Sequence, residues 1–212
     1  MEYLSNFLLI IFAYLLGSIP TGVILARAFG EVDLRKHGSG NIGAANVYRT
    51  VGKKIGIITL LGDILKGLIP VLLARSVLDS FLGVGFVALA VFLGHLYPLY
   101  LKFKGGKGIA TALGAFLALS PLPALLSFII FILVLYRWRY VSLGSLAATA
   151  AFPVLLFFFN MPKIYIPFAV AIGGFIFFRH RDNIRRLLEG KESKFGASRK
   201  TEPASPAGSI FA

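Results

Sequence analysis

Three short polar strings hold most of the residues in this sequence that could do chemistry, and each combines cationic side chains with glycines or amides. The first is Gly38-Ser39-Gly40-Asn41-Ile42-Gly43-Ala44-Ala45-Asn46-Val47-Tyr48-Arg49. Its glycines let consecutive backbone N–H groups turn toward an anion, Ser39, Asn41 and Asn46 add neutral donors, and Arg49 adds a bidentate charge three residues beyond Asn46, on the same helical face. The second, Lys102-Phe103-Lys104-Gly105-Gly106-Lys107-Gly108-Ile109-Ala110-Thr111, is a glycine-rich, lysine-bearing turn that opens an apolar segment. Free amides and the positive dipole end of a helix are expected there, which suits a phosphate. The third runs from His180 through Asn183, Ile184, Arg186, Leu187 and Leu188 to Glu192. His180 and Asn183 share one helical face, and a histidine so placed can orient or deprotonate a hydroxyl. Ile184, Leu187 and Leu188 form an apolar stripe, which predicts an amphipathic helix lying along a membrane interface. Each string also has a plainer reading: a tight turn with a snorkelling arginine, a cationic membrane anchor, and a structural histidine. The anchor explains the lysines of the second string and leaves its three glycines unexplained.

Several familiar patterns are excluded. The first string matches G-x-G-x-x-G, and Asp63 lies 20 residues beyond Gly43. A dinucleotide site needs a strand before that motif, whereas here an apolar helix precedes it. The second is no Walker loop, because residue 101 is Leu and Lys107 is followed by Gly108. No histidine has an aspartate five residues on, since Ile42, Tyr100 and Arg185 occupy those positions. With no cysteine and no serine elbow, direct transfer of a group is favoured over a covalent enzyme intermediate. The three histidines are far apart and the nine carboxylates are scattered, so neither a metal site nor a cofactor is expected.

The elements that must position these strings are set by composition. Of 212 residues, 57% are hydrophobic and 15% charged, and the apolar ones arrive in blocks long enough to cross roughly 30 Å of hydrocarbon as helices. The first block lacks a cationic leader and is expected to remain in the mature protein. Breaks at charges, Gly and Pro predict seven helices, at about 4–29, 54–75, 78–101, 109–119, 122–136, 141–160 and 163–178. The fold class expected is an all-α integral membrane protein, with one membrane domain over 1–194 and a disordered tail or cloning remnant over 195–212. The fourth and fifth helices, parted by Ser120-Pro121, could instead be a single kinked span. Charge favours seven spans: of 22 Lys and Arg, all but Lys66, Arg75 and Lys163 then fall on one side, which puts the N-terminus outside and the C-terminus in the cytosol. The net charge of +13 suits anionic lipid headgroups, and nucleic acid is not an expected partner because spans interrupt the charges.

Within the spans, Thr59, Asp63 and Lys66 form one stripe. Two charges in hydrocarbon cost roughly 2.5–3.5 kcal/mol each, so they are expected to pair or to face a polar cavity. Ser142 and Ser145, three apart at the cytosolic start of the sixth helix, are more often helix-packing residues than chemical ones.

The three strings, in this order and on one face, resemble the signature motifs of the bacterial acyl-phosphate:glycerol 3-phosphate acyltransferases, the PlsY-type family of phospholipid synthesis. The likeness covers about residues 1–194. Ala45 and Tyr48 depart from the family's pattern, where Thr and Leu are usual, and bear on packing more than on assignment. The resemblance implies a bacterial inner-membrane enzyme that moves a fatty acyl group from acyl phosphate to the 1-hydroxyl of glycerol 3-phosphate. It implies roles in the reaction for Ser39, Arg49, Lys107, His180 and Asn183. It implies substrate contacts for Gly40, Asn41, Asn46, Lys104, Gly105, Gly106, Gly108, Thr111, Ser142, Ser145, Arg186 and Glu192. Two phosphate-bearing substrates fit two basic glycine loops, and acyl phosphate, a mixed anhydride, needs mainly alignment and oxyanion stabilisation. Either His180 or a substrate phosphate oxygen could take the hydroxyl proton. A transporter of a small organic or phosphate anion is the alternative, although transporters gather polar groups at midplane on paired broken helices rather than at the rim.

Overall fold

The structure, a computed structural model, describes residues 2–196. The regular elements of the described chain are all helices: α1 (Glu2–Gly17), α2 (Thr21–Gly30), α3 (Ala44–Thr50), α4 (Lys53–Val77), α5 (Phe81–Leu96), α6 (Ile109–Leu119), α7 (Pro121–Trp138), α8 (Val141–Phe158), α9 (Tyr165–Arg179) and α10 (Arg181–Leu188). A 3-10 turn at Leu99–Leu101 follows α5. Five stretches are long and apolar enough to cross a membrane, namely Tyr3–Gly30, Lys53–Val77, Phe81–Leu101, Pro121–Trp138 and Val141–Phe158. Ile109–Leu119 and Tyr165–Arg179 are apolar but shorter.

The first expected helix is divided. Pro20 has no N–H to give and disfavours helical backbone at Ile19, so α1 ends and α2 begins across Ser18–Pro20. Ser18 closes the end of α1 by donating from both its amide and Oγ to Tyr14 O, at 2.9 and 2.8 Å. At the other expected break, α6 stops at Leu119, Ser120 adopts a non-helical conformation, and Pro121 opens α7 in the first-turn position that tolerates proline. α6 and α7 pack against each other, as two helices joined by a turn do and one kinked helix does not.

α5 is the central helix, with 67% of its most apolar stretch buried against 17% for α7. It is accordingly apolar on all sides, and Val84, Val87, Ala88, Val91 and Phe92 form the middle of the core. Phe116 of α6 stacks on Phe152 of α8 at 3.8 Å between ring centroids. Outward-facing Leu61, Ile129, Leu133 and Val170 are exposed, the pattern expected where lipid is the neighbour.

α4 and α6 approach through glycine. A Cβ at Gly114 would lie 2.0 Å from Ile64 O, and one at Gly67 would lie 2.1 Å from Thr111 O, so only glycine allows this helix contact. α6 therefore begins beside the middle of α4, and the glycine turn before it reaches into the bundle. Arg75 Nη1 donates to Ala118 O at the far end of α6, satisfying one of its last carbonyls.

The expected tail requires one adjustment. Phe195 N donates to Arg139 O at 2.6 Å, Arg139 Nη2 donates back to Phe195 O at 3.0 Å, and the Phe195 ring lies 5.9 Å from that of Tyr48. The packed chain thus extends past 194, while 197–212 lie outside the described residues.

Candidate active site

The second and third strings meet through side chains. Lys107 Nζ donates to Asn183 Oδ1 at 2.5 Å, and Asn183 Nδ2 donates to Glu192 Oε1 at 2.7 Å. Ser142, from the first turn of α8, donates its Oγ to the same Glu192 oxygen at 2.7 Å, and Arg186 Nε donates to Oε2 at 2.8 Å. One carboxylate thus gathers α8, α10 and, through Asn183, the loop before α6. Burial alone would raise the Glu192 pKa, but the hydrogen bonds from Asn183, Ser142 and Arg186 outweigh it and hold the carboxyl below its usual range. Lys107 responds in the opposite sense. Burial, reinforced by Arg186, Arg49 and Arg179 and opposed by Glu192, lowers its pKa to about 8. That Arg49 bears on Lys107 also ties the first string to the other two.

His180 sits where α9 ends and α10 begins, 3% exposed. Its Nδ1–H donates to Ile176 O at 2.9 Å, which fixes the tautomer and leaves Nε2 as an acceptor. Burial and the nearby Lys107 lower its pKa to about 4, so the ring is neutral near pH 7. On the outward side of α9, Tyr97, Ala171, Gly174, Phe175 and Phe178 line an open apolar groove of about 450 Å³.

The glycine turn differs from expectation in a way that matters. Its first two amides are not free: Gly105 N donates to Leu96 O at 3.1 Å and Gly106 N to His95 O at 3.2 Å. Arg179, a residue that sequence reasoning counted only as membrane-side charge, donates to both carbonyls, Nη2 to Gly105 O at 2.6 Å and Nε to Gly106 O at 3.1 Å. A Cβ at Gly105 would stand 2.1 Å from His95 O, and one at Gly106 2.3 Å from His95 Nε2, so close packing is what these two glycines serve. Gly108, at φ +82°, caps α6. The amides of the first turn of α6 remain without helical acceptors, and they are the part of the expected anion cradle that the geometry leaves in place.

In the first string, Asn46 is 2% exposed and organises the loop. Its Nδ2 donates to Asn41 O at 2.8 Å and to Leu34 O and His37 O at 3.1 Å, and its Oδ1 accepts Ser39 N at 2.8 Å. Expected to contact substrate, Asn46 instead has its amide occupied by backbone. Asn41 closes a local turn by accepting Gly43 N at 2.8 Å. Ser39, Gly40 and Arg49 are exposed, with Gly38 and Gly40 at φ +65° and +70° shaping the crest. Three further residues expected to contact substrate have protein partners of their own. Ser145 Oγ donates to Val141 O within its own helix, as a packing serine does. Thr111, fully buried, is hydrogen-bonded to His95. Lys104 is exposed, and its carbonyl accepts Arg35 Nη2 at 3.4 Å. A concentration of Lys and Arg around one bonded carboxylate, next to a neutral imidazole, can hold phosphate and accept a hydroxyl hydrogen bond.

Fold and site together define an all-helical membrane protein with a cluster of basic and amide side chains at one end of its bundle. The family model for glycerol-3-phosphate acyltransferases matches residues 7–190, and the chain belongs to that family. Glycerol-3-phosphate acyltransferases from Syntrophotalea carbinolica and Geotalea daltonii are 53% and 54% identical to it over 196 and 191 residues. Those alignments cover 91% and 90% of this chain and 99% and 98% of the relatives. Among solved structures it is similar to PlsY, an integral membrane glycerol 3-phosphate acyltransferase. The glycerol 3-phosphate form gives a TM-score of 0.87 at 48% identity, covering 91% of this chain and 96% of that one. The lysophosphatidic acid form gives 0.85 at 47%, with the same coverage.

Proposed function

We propose that this enzyme transfers a fatty acyl group from acyl phosphate to the 1-hydroxyl of glycerol 3-phosphate, yielding lysophosphatidate and inorganic phosphate. The observation that carries the reading is the convergence of Lys107, Asn183, Glu192, Ser142 and Arg186 beside Arg49 and His180. Its support from relatives is the glycerol 3-phosphate and lysophosphatidic acid forms of PlsY. Lys107 and Arg49, with Ser39 and the first amides of α6, hold phosphate and the developing carbonyl oxyanion. His180 Nε2 accepts a hydrogen bond from the substrate hydroxyl and aims its oxygen at the acyl carbon. That oxygen forms the new ester bond as the carbon–phosphate oxygen bond breaks, and the proton leaves with the phosphate, whose oxygen is a better base than an imidazole of pKa about 4. The acyl chain stays among the apolar helices, whose outward faces meet lipid.

Purified protein is expected to release phosphate from palmitoyl phosphate only when glycerol 3-phosphate is present, with one lysophosphatidate formed per phosphate. Phosphate release without glycerol 3-phosphate sinks the acyl-transfer reading. Uptake of glycerol 3-phosphate into vesicles without turnover would support an anion transporter instead. One feature on which that alternative depends does occur, a broken helix beside the Asp63–Lys66 pair, but transporters of this kind pair two such breaks.

The reading includes seven spans, formed by α1 with α2, then α4, α5, α6, α7, α8 and α9, with the N-terminus outside and the C-terminus in the cytosol of a bacterial inner membrane. Because the chain has no cysteine, Lys104→Cys and Arg181→Cys each create a single labelling site at an exposed position. Both are expected to react with a membrane-impermeant thiol reagent from the cytosolic side only. Labelling from opposite sides would overturn the topology and the shared site.

A further inference from the structure

A second polar cluster lies behind the site, and no part of the proposed reaction uses it. Lys66 Nζ is 2.8 Å from Asp63 Oδ1 and donates at 2.8 Å to Ile19 O, the carbonyl at the α1–α2 break. Asp63 Oδ1 lies 3.8 Å from His95 Nδ1, and His95 Nδ1 is hydrogen-bonded to Thr111 Oγ1 at 3.1 Å. The four side chains come from α4, α5 and α6, and none is more than 6% exposed.

One residue of this cluster touches the site. The His95 carbonyl accepts Gly106 N, and the three atoms nearest to a Cβ built at Gly106 all belong to the His95 ring. Lys107 is the next residue along the chain, and its ammonium must reach Asn183 Oδ1 at 2.5 Å. Thr111 fixes the ring from the far side of the same turn. Ion pair, imidazole and hydroxyl therefore form a fixed backing against which the glycine turn is seated. We infer that His95, held by Thr111 and backed by the Asp63–Lys66 pair, is a positioning residue that sets the place of Lys107. The inference rests on the reading of Lys107 as a contact of the reacting groups. A buried ionic cluster is weak evidence for stability, since well-packed apolar residues often do as well, but a set of directional bonds fixes one ring orientation where an apolar side chain would leave several.

The test is a cycle in full-length enzyme. His95→Gln, and separately Thr111→Val, are made in the wild type and in Lys107→Ala, with kcat and KM measured for both substrates. Melting temperature and gel-filtration profile monitor the fold. Misplacing a reacting group by about 1 Å costs on the order of 10²-fold, so His95→Gln is expected to lower kcat by about that factor, with KM changed far less. Thr111→Val, which keeps the shape of the side chain and removes the hydroxyl, is expected to lose about tenfold through the same route. In Lys107→Ala neither change should cost more than about twofold, because the group being positioned is gone. Equal factors in both backgrounds, or wild-type kcat in His95→Gln, would overturn the inference. If His95→Gln does not fold, Thr111→Val decides by the same comparison. Near-normal turnover in Lys107→Ala alone would instead overturn the reading of the site, a result separable from the other failures.

Discussion

Replacing Lys107 by alanine is expected to reduce turnover by about 10²–10³-fold, the usual consequence of removing one preorganised charge from a developing oxyanion. Lys102→Ala should stay within about twofold, since it lies at an exposed position outside the network. The contrast separates a reacting role from a membrane anchor, because an anchor would make both losses mild and similar. A pH profile provides an independent check. The Lys107 ammonium is lost as pH rises through about 8, so the wild-type rate should decline along an alkaline limb near that value. The limb should be absent in Lys107→Ala and displaced upward in Lys107→Arg, whose guanidinium stays protonated. Stability should move the other way. In the unfolded chain this lysine has its ordinary pKa of 10.5, so the folded protein carries the charge at a cost below about pH 8, and that cost is relieved as pH rises toward 10.5. Lys107→Ala should therefore melt no lower than wild type while turning over far more slowly.

His180 gives the second large effect. His180→Ala is expected to lose about 10²-fold or more, because the substrate hydroxyl loses its fixed acceptor. His180→Gln, which still presents an acceptor, should remain within about tenfold of wild type, the scale of one neutral hydrogen bond made in altered geometry. Equal, near-complete loss in both variants would reject orientation and make the imidazole the base. In either case Nε2 must be unprotonated, so with a pKa of about 4 His180 should produce no loss of rate near 6.5, its ordinary value. Its effect on stability has a definite sign. The unfolded ring takes up a proton near pH 6.5 and the folded ring only near 4, so stability declines as pH falls through that interval.

Much of this site is legible in local sequence because local rules govern it. Apolar block length and charge mark where helices run, and the three-residue spacing of His180 and Asn183 puts both on the inner face at the junction of α9 and α10. What local rules cannot give is the partner of each polar group. Gly105 and Gly106 are glycine because His95 packs against them, a constraint that the turn itself does not show. Asn46 reads as a ligand donor by type, yet it is folded inward to bind Leu34, His37 and Asn41 backbone. Arg179 is indistinguishable in sequence from the other basic residues at the end of the last apolar helix, and only the packing of α9 on α5 and α6 brings it to the glycine turn. The break at Ser18–Pro20 had a signal in Pro20, but it stands inside an apolar run long enough to be read as one helix. Asp63 and Lys66 were expected to pair or face a polar cavity, and they pair; their link to His95 and Thr111 depends on helix arrangement alone.

The order of those buried partners along the chain bears on how the protein enters the bilayer. Synthesis delivers Ile19 first, then Asp63 and Lys66 together, then His95 and last Thr111. The aspartate and lysine are three residues apart on one helix and 2.8 Å apart in space, so α4 can leave the insertion machinery with its two mid-helix charges already neutralising each other. The carbonyl that accepts a second hydrogen bond from the ammonium, that of Ile19, belongs to a segment made earlier. His95 and Thr111 each then arrive to find a polar group waiting. Vectorial assembly of this kind means that Asp63 and Lys66 need not linger in lipid unanswered, and that the backing of the glycine turn is complete before the residues of α10 that close the site have been made.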